Sequence, residues 1–236
     1  MIPFLKSIKL FRKPHPVLER NRQLFVDFNQ SRPLPEYNFV VCDTELTGLN
    51  WRRDEIISIG AVRVVDLQIE LAATFHQYVR PRNLNHNQAT FIHRITPEQL
   101  REAPPLEEVL PEFVDFCGDS LLVGHFVGID MDFLNNAARK VLNGTLSNPC
   151  IDTMRLARLY KEARSASDYG HCDQSNSYNL DDLSQEFGLP RFKPHDALED
   201  ALQTAYLFLF LVKKLGRGEV LTLRQLYQLK PLWHLL

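Results

Sequence analysis

Val40-Val41-Cys42-Asp43-Thr44-Glu45-Leu46-Thr47-Gly48-Leu49 sets two carboxylates at the end of an apolar, β-favouring run. Residues 37–42 have the short, unbroken hydrophobicity of a strand covered on both faces. Asp43 and Glu45 are two residues apart, and on an extended backbone such positions point to the same side, so both face one point in space. Carboxylates that converge at a strand end repel each other unless a cation or a proton lies between them. A lone D-x-E is more often a turn cap at Asp43 beside a solvated Glu45. Two His/Asp pairs downstream, His125 with Asp130 and His195 with Asp200, each at five-residue spacing, weaken that reading.

The chain around this stretch alternates in type. Residues 55–65 and 73–79 read as further strands, and the short connection near Asp66 makes them an antiparallel meander with the first. Thr96-Pro97-Glu98-Gln99 combines an N-cap, a proline at the first helical position and a glutamine three residues on, a capping box. Val109, Leu110, Phe113 and Phe116 recur at helical spacing across Pro111. Residues 121–123 form a fourth, buried strand and 130–142 a helix. Residues 150–151 form a fifth strand, with Asp152 capping the next helix. Asn179 and Asp182 start a short helix that ends at Gly188, and a last body helix spans about 195–214. Residues 165–177 are polar and Ser/Asp-rich, an exposed loop. The expected class is α/β, a mixed sheet with helices on its faces.

Composition narrows the function classes. The 236 residues are 44% hydrophobic and 24% charged, enough for one large domain with appendages. Formal net charge is −2, but residues 1–35 carry seven Lys/Arg against Glu19 and Asp27, which leaves the remainder at −7. An acidic body acting on a polyanion needs metal ions to neutralise its site. The four cysteines are widely spaced with no C-x-x-C pair, which argues against a zinc ribbon or a disulfide framework and fits a reducing compartment. His171-Cys172 is the one neighbouring His/Cys pair and a weak metal signal. The apolar run 205–212 is too short to span a bilayer, and lysines interrupt the N-terminal apolar residues where a signal peptide would be continuous, so cytoplasm is the expected location. Residues 1–35 read as a basic amphipathic extension, 36–214 as the body and 215–236 as an apolar tail. Both ends suit docking, on the body, in a homodimer or on a protein partner, better than membrane binding.

Four acids and a histidine, in the order Asp43, Glu45, Asp130, His195, Asp200, resemble the DnaQ-like or DEDDh 3′–5′ exonucleases. The first motif of that family, D-x-E followed by T-G, reads here as Asp43-Thr44-Glu45-Leu46-Thr47-Gly48. The second, H-N-x3-D, reads as His125-Phe126-Val127-Gly128-Ile129-Asp130, and the third, H-x4-D, as His195-Asp196-Ala197-Leu198-Glu199-Asp200. Ile92-His93-Arg94-Ile95-Thr96 and Asp152-Thr153 are similar linking segments. Asp132 rivals Asp130, and the spacing favours Asp130. The resemblance covers about residues 36–214.

It implies an RNase H-like sheet of five strands, a three-stranded antiparallel meander plus two parallel strands, with helices on both faces. It implies two Mg²⁺ or Mn²⁺ ions held by Asp43, Glu45, Asp130 and Asp200, with Asp43 bridging them. His195 would be the general base, and Leu46, Thr47 and Leu49 would pack on the terminal nucleotide of a single-stranded 3′ end. Leu46 and Leu49 equally suit ordinary core packing. Phe126 stands where the family has asparagine, so either a hydrogen bond near the substrate is lost or the ring stacks on a base. Arg52, Arg53, Arg191 and Lys193 flank the motifs as phosphate contacts or as solvated charges. DNA is the favoured substrate, released as nucleoside monophosphates in replication or repair, with a polymerase or another protein as the partner of the N- or C-terminal extension. RNA trimming, a non-catalytic docking module and an endonuclease on the same fold are the competing readings. The complete acid set and His195 argue against the last two.

Overall fold

The computed structural model describes residues 13–82, 95–167 and 177–229. The basic pattern before residue 13, Ile92-His93-Arg94, the His171-Cys172 pair, most of the polar loop and the tail from residue 230 lie outside the described residues. Five strands form one sheet in the order β3-β2-β1-β4-β5: β1 (Phe39–Leu46), β2 (Ile56–Val65), β3 (Gln68–Tyr78), β4 (Leu121–Gly124) and β5 (Cys150–Asp152). β1, β2 and β3 pair antiparallel, whereas β4 and β5 run parallel to β1, the mixed sheet the sequence implies.

Eight α-helices are described besides a 3₁₀ turn at Leu34–Glu36: α1 (Pro16–Leu24), α2 (Pro97–Arg101), α3 (Leu106–Cys117), α4 (Gly128–Val141), α5 (Thr153–Ser167), α6 (Leu180–Glu186), α7 (Ala197–Gly216) and α8 (Leu223–Gln228). The central strand explains their distribution. Val40 and Cys42 pack on one face with Phe113 of α3 and Leu134 of α4; Phe39 and Val41 pack on the other with Leu207, Phe208 and Leu211 of α7. This is the two-residue period of a strand buried on both sides, and the sheet is sandwiched accordingly. The α2 capping box is present as read, with Gln99 N–H on Thr96 Oγ1 and Thr96 N–H on Gln99 Oε1.

Two strand boundaries differ most from the sequence reading. β1 does not stop at Cys42 but runs on through Leu46, because β2 pairs with it along its whole length while β4 pairs only with Phe39–Val41. The two acids are therefore part of the strand, beyond the end of β4. β3 begins at Gln68 rather than residue 73. Asp66 and Leu67 both have positive φ, 49° and 55°, which makes a two-residue hairpin turn from a dipeptide that lacks the usual glycine.

The described parts of both flanks are tied to the body. Val17 and Leu18 of α1 are buried, and Asn21 Nδ2 donates to Asn148 Oδ1 at 2.7 Å. Leu34 N–H donates to Leu221 O at 2.9 Å, and Leu223 and Arg224 N–H donate to Arg32 O and Gln30 O. Leu223 and Leu226 of α8 are fully buried in the cluster that holds Leu34 and Phe39. Among the described residues no helix is long and apolar enough to cross a membrane.

Candidate active site

Parity along β1 decides which way each functional side chain points. Continuing the alternation past Cys42, Thr44 faces α4, and Asp43 and Glu45 face α7. Because β4 ends at Gly124, α4 starts soon after it and brings Asp130, in its first turn, over the exposed end of the sheet. Asp130 is 5% exposed, and its Oδ1 accepts both the N–H of Thr44 at 3.0 Å and its Oγ1–H at 2.6 Å. Thr44, which the sequence reading passed over, is thus the residue that seats the second-motif acid beside the first. Its position between the two acids of D-T-E was the available signal.

The third motif arrives through α7. Asp196 caps the helix, accepting Leu198 N–H at 3.2 Å and Glu199 N–H at 3.3 Å, so Asp200 falls in the first turn. That turn lies directly on the sheet: a Cβ on Gly60 would meet the Ala197 carbonyl carbon at 2.1 Å, a closeness only glycine allows. His195 has φ 64°, and its N–H donates to Asp200 Oδ2 at 2.9 Å. Carboxylate oxygens of Glu45 and Asp200 and a ring nitrogen of His195 come within 4.8 Å of one another.

Acid crowding shows in the proton affinities. Burial, with the nearby charges of Asp200, Asp196 and Asp130 adding to it, raises Glu45 to about 8. Burial raises Asp130 to about 7 against the opposing hydrogen bonds from Thr44, and raises Asp200 to about 6 against the His195 N–H. Asp43, half-buried, is raised well above its ordinary value by desolvation and then by Asp130, Asp200 and Glu45. Oxygen donors that repel one another and are held by separate rigid elements fit a hard divalent cation, whose charge favours their ionised forms. Among the described residues no thiolate belongs to the cluster; Cys42 is buried behind the strand among apolar residues.

The other motif residues divide. His125 is not part of the acid cluster: Nε2 donates to Tyr178 O at 2.7 Å and Nδ1 pairs with Thr153 Oγ1 at 2.8 Å, so it ties the end of β4 to α5 and to the start of α6. Phe126, next to it, has φ 56° and donates its N–H to Asp152 Oδ1 at 3.0 Å. The residue is 38% exposed, and its ring meets the His125 ring edge-on at 4.9 Å. Leu49 is 79% exposed, whereas Leu46 is half-buried against the α4-side core. Thr47 Oγ1 accepts Glu55 N–H at 2.9 Å, closing the loop that carries Leu49. Arg191 is paired with Asp181 at 2.7 Å on the surface, and the Arg52 guanidinium lies over the Trp51 ring.

The exonuclease family RNase_T matches residues 40–208, a span that includes all three motifs. A PolC-type DNA polymerase III of Thermotoga petrophila is 36% identical over 192 residues, which is 81% of this chain but 13% of that protein. The DNA polymerase III subunit epsilon of Aquifex aeolicus is 32% identical over 192 residues, covering 80% of this chain and 89% of its own length. The solved structure of Exonuclease X in complex with 5′ overhanging duplex DNA superposes with a TM-score of 0.57 at 27% identity, covering 80% of this chain and 96% of that one. The chain thus spans about an eighth of the length of its PolC-type relatives and nearly the whole of the epsilon subunit. With the fold, the motif order and these matches in agreement, the chain belongs to the RNase_T family of DnaQ-like exonucleases.

Proposed function

We propose that this protein is a metal-dependent 3′–5′ exonuclease that removes nucleoside monophosphates from single-stranded DNA ends. The observation that carries this reading is the meeting of Glu45, His195 and Asp200 within 4.8 Å, beside an Asp130 seated by Thr44. Asp43, Glu45, Asp130 and Asp200 are the residues that would hold two Mg²⁺ or Mn²⁺ ions. When bound, such a pair stabilises the charge that develops on the attacking and leaving oxygens of a phosphodiester.

The protein's own groups supply orientation and proton transfer. β1 and the first turn of α7 hold Asp43, Glu45 and Asp200 on one face of the sheet, and Thr44 fixes the Asp130 carboxylate from the other. His195 takes the proton of the attacking water, with its main chain fixed by Asp200. Leu49 and Phe126, exposed on the loops beside the acids, offer apolar surface to the terminal bases. Thr47 supports the first loop, and Leu46 contributes from its half-buried position at the end of β1. The polymerase relatives favour DNA over RNA and a polymerase as protein partner.

The test is degradation of matched 5′-labelled DNA and RNA oligonucleotides with Mn²⁺, beside an Asp43→Ala control. The expected outcome is a one-nucleotide ladder on DNA, lost in the mutant and in chelator. Intact oligonucleotides across a pH series would overturn the reading, and faster loss of RNA would reassign the substrate.

A further inference from the structure

His195 is exposed, so packing does not hold its ring, and the place of the imidazole follows from the main chain that carries it. Residues 189–195 run from the end of α6 back along α7. Pro190 and Pro194 stiffen this segment, each fixing its own φ and favouring an extended residue before it. Leu189 N–H donates to Ser184 O at 2.8 Å, and the Arg191 guanidinium makes two bonds to the Asp181 carboxylate, at 2.9 and 2.7 Å. Phe192 N–H donates to Gln203 Oε1 at 3.0 Å, Lys193 N–H to Glu199 Oε2, and His195 N–H to Asp200 Oδ2.

One stripe of α7 receives this segment. Glu199, Gln203 and Tyr206 recur at i, i+4 and i+7, and the Phe192 ring stacks on Tyr206 with centroids 5.9 Å apart. Gln203 is the deepest of the three at 2% exposed, and an amide taken that far from water costs free energy unless it is paired. Ala201, Ala205, Leu207 and Phe208 make the buried side of α7 largely apolar, so core packing gives no reason for a glutamine there. Phe192 gives one: its N–H lies outside any helix or strand, and the Gln203 oxygen supplies the acceptor that regular structure would. The Arg191–Asp181 pair and the Lys193–Glu199 bond are at the surface, where water competes for them. The bond to Gln203 is the one with a buried partner.

We propose that Gln203 is a positioning residue for His195: by accepting the Phe192 N–H it fixes the register of residues 189–195 along α7, and so keeps the exposed imidazole beside Glu45 and Asp200. Gln203 lies one helical turn beyond Asp200 and acts through the main chain of its partner segment, not on the substrate. Its role rests on the exonuclease reading.

The experiment compares Gln203→Met and Tyr206→Leu with the wild type in Mn²⁺-dependent hydrolysis, thermal unfolding and backbone amide exchange followed by NMR. Methionine keeps the length and volume of the glutamine and removes the acceptor; leucine removes the stacking partner of Phe192 and leaves Gln203 in place. Either variant is expected to lower kcat about tenfold with KM unchanged, and to leave Tm within about 3 °C of the wild type. The Phe192 amide is expected to exchange slowly in the wild type and rapidly in Gln203→Met, while the amides of α7 and the sheet stay protected. In a His195→Ala background the same substitutions are expected to cost nothing further, because they act through that side chain. Three results would overturn the proposal: rapid exchange of the Phe192 amide in the wild type, wild-type kcat in a variant that frees it, or an undiminished loss in the His195→Ala background. Amide exchange needs no turnover, so an inactive wild type would remove the exonuclease reading while exchange still decides whether Gln203 holds the segment.

Discussion

Phe126 is held in a left-handed backbone conformation, φ 56°, that bulky side chains rarely adopt and that asparagine tolerates. Its neighbours leave it little choice: Asp152 takes its N–H, and the His125 ring beside it is bonded through both nitrogens. Strain of this kind costs on the order of 1–3 kcal/mol and is found where the surrounding structure over-determines the backbone, typically at functional sites. Phe126→Asn is therefore expected to raise Tm by about 2–4 °C, while weakening binding of a single-stranded oligonucleotide several-fold. Tm that falls, with binding unchanged, would make the ring a packing residue. The acids give a second expectation. Glu45 at about 8, Asp130 at about 7 and Asp200 at about 6 lie above their unfolded values, so without metal the folded protein binds more protons than the unfolded chain between about pH 4 and pH 8. Stability in chelator then falls as pH rises through that window. Thermal unfolding in EDTA is expected to give a lower Tm at pH 8 than at pH 5, with Mn²⁺ restoring most at pH 8 and Glu45→Gln flattening the slope. A Tm that rises between these pH values would contradict the crowding of the acids.

The three motif-bearing elements meet because of how they end. β4 stops at Gly124 while β1 continues to Leu46, and α7 starts on Gly60. Gly60→Ala puts a methyl group into backbone atoms of Ala197 that cannot swing aside. It is expected to cost about 3 kcal/mol, to lower Tm by at least about 6 °C and to reduce kcat by displacing Asp200 and His195. Unaltered Tm and kcat would mean that α7 can shift freely. Much at this level was legible in the sequence. The capping box at Thr96, the acid order and the alternation of strands and helices all rest on local chemistry that a sequence displays directly. What was not legible depended on partners distant in the chain. The end of β1 was misplaced because it is set by β2, the start of β3 because Asp66-Leu67 lacks the glycine that marks such turns. Thr44 was missed because its importance lies in Asp130, 86 residues away.

Across the molecule, the described parts of the segments read as extensions, residues 13–35 and 215–229, are part of the packing. Leu223 and Leu226 lie in the same cluster as Leu34, Phe39 and Phe208, and Arg155 donates to the carbonyl oxygens of Tyr227 and Leu229 at 3.0 and 2.9 Å. Removing residues 219–236 is expected to lower Tm by about 10 °C, since each lost buried leucine costs roughly 2–5 kcal/mol. A truncated protein that melts like the full chain would show that the body is self-sufficient. Composition could mark these ends as apolar or basic but not say what they touch, because amphipathicity specifies a face and not its partner.

The ladder that joins Leu34 to Leu221 and Leu223 to Arg32 brings the two flanks of the catalytic body to one spot on the surface. Both flanks are joined there by main-chain bonds, so the body between them is geometrically a closed circuit. Such a unit can be spliced into a loop of a larger polypeptide without prising the host's ends apart, and its own termini can be relocated by circular permutation.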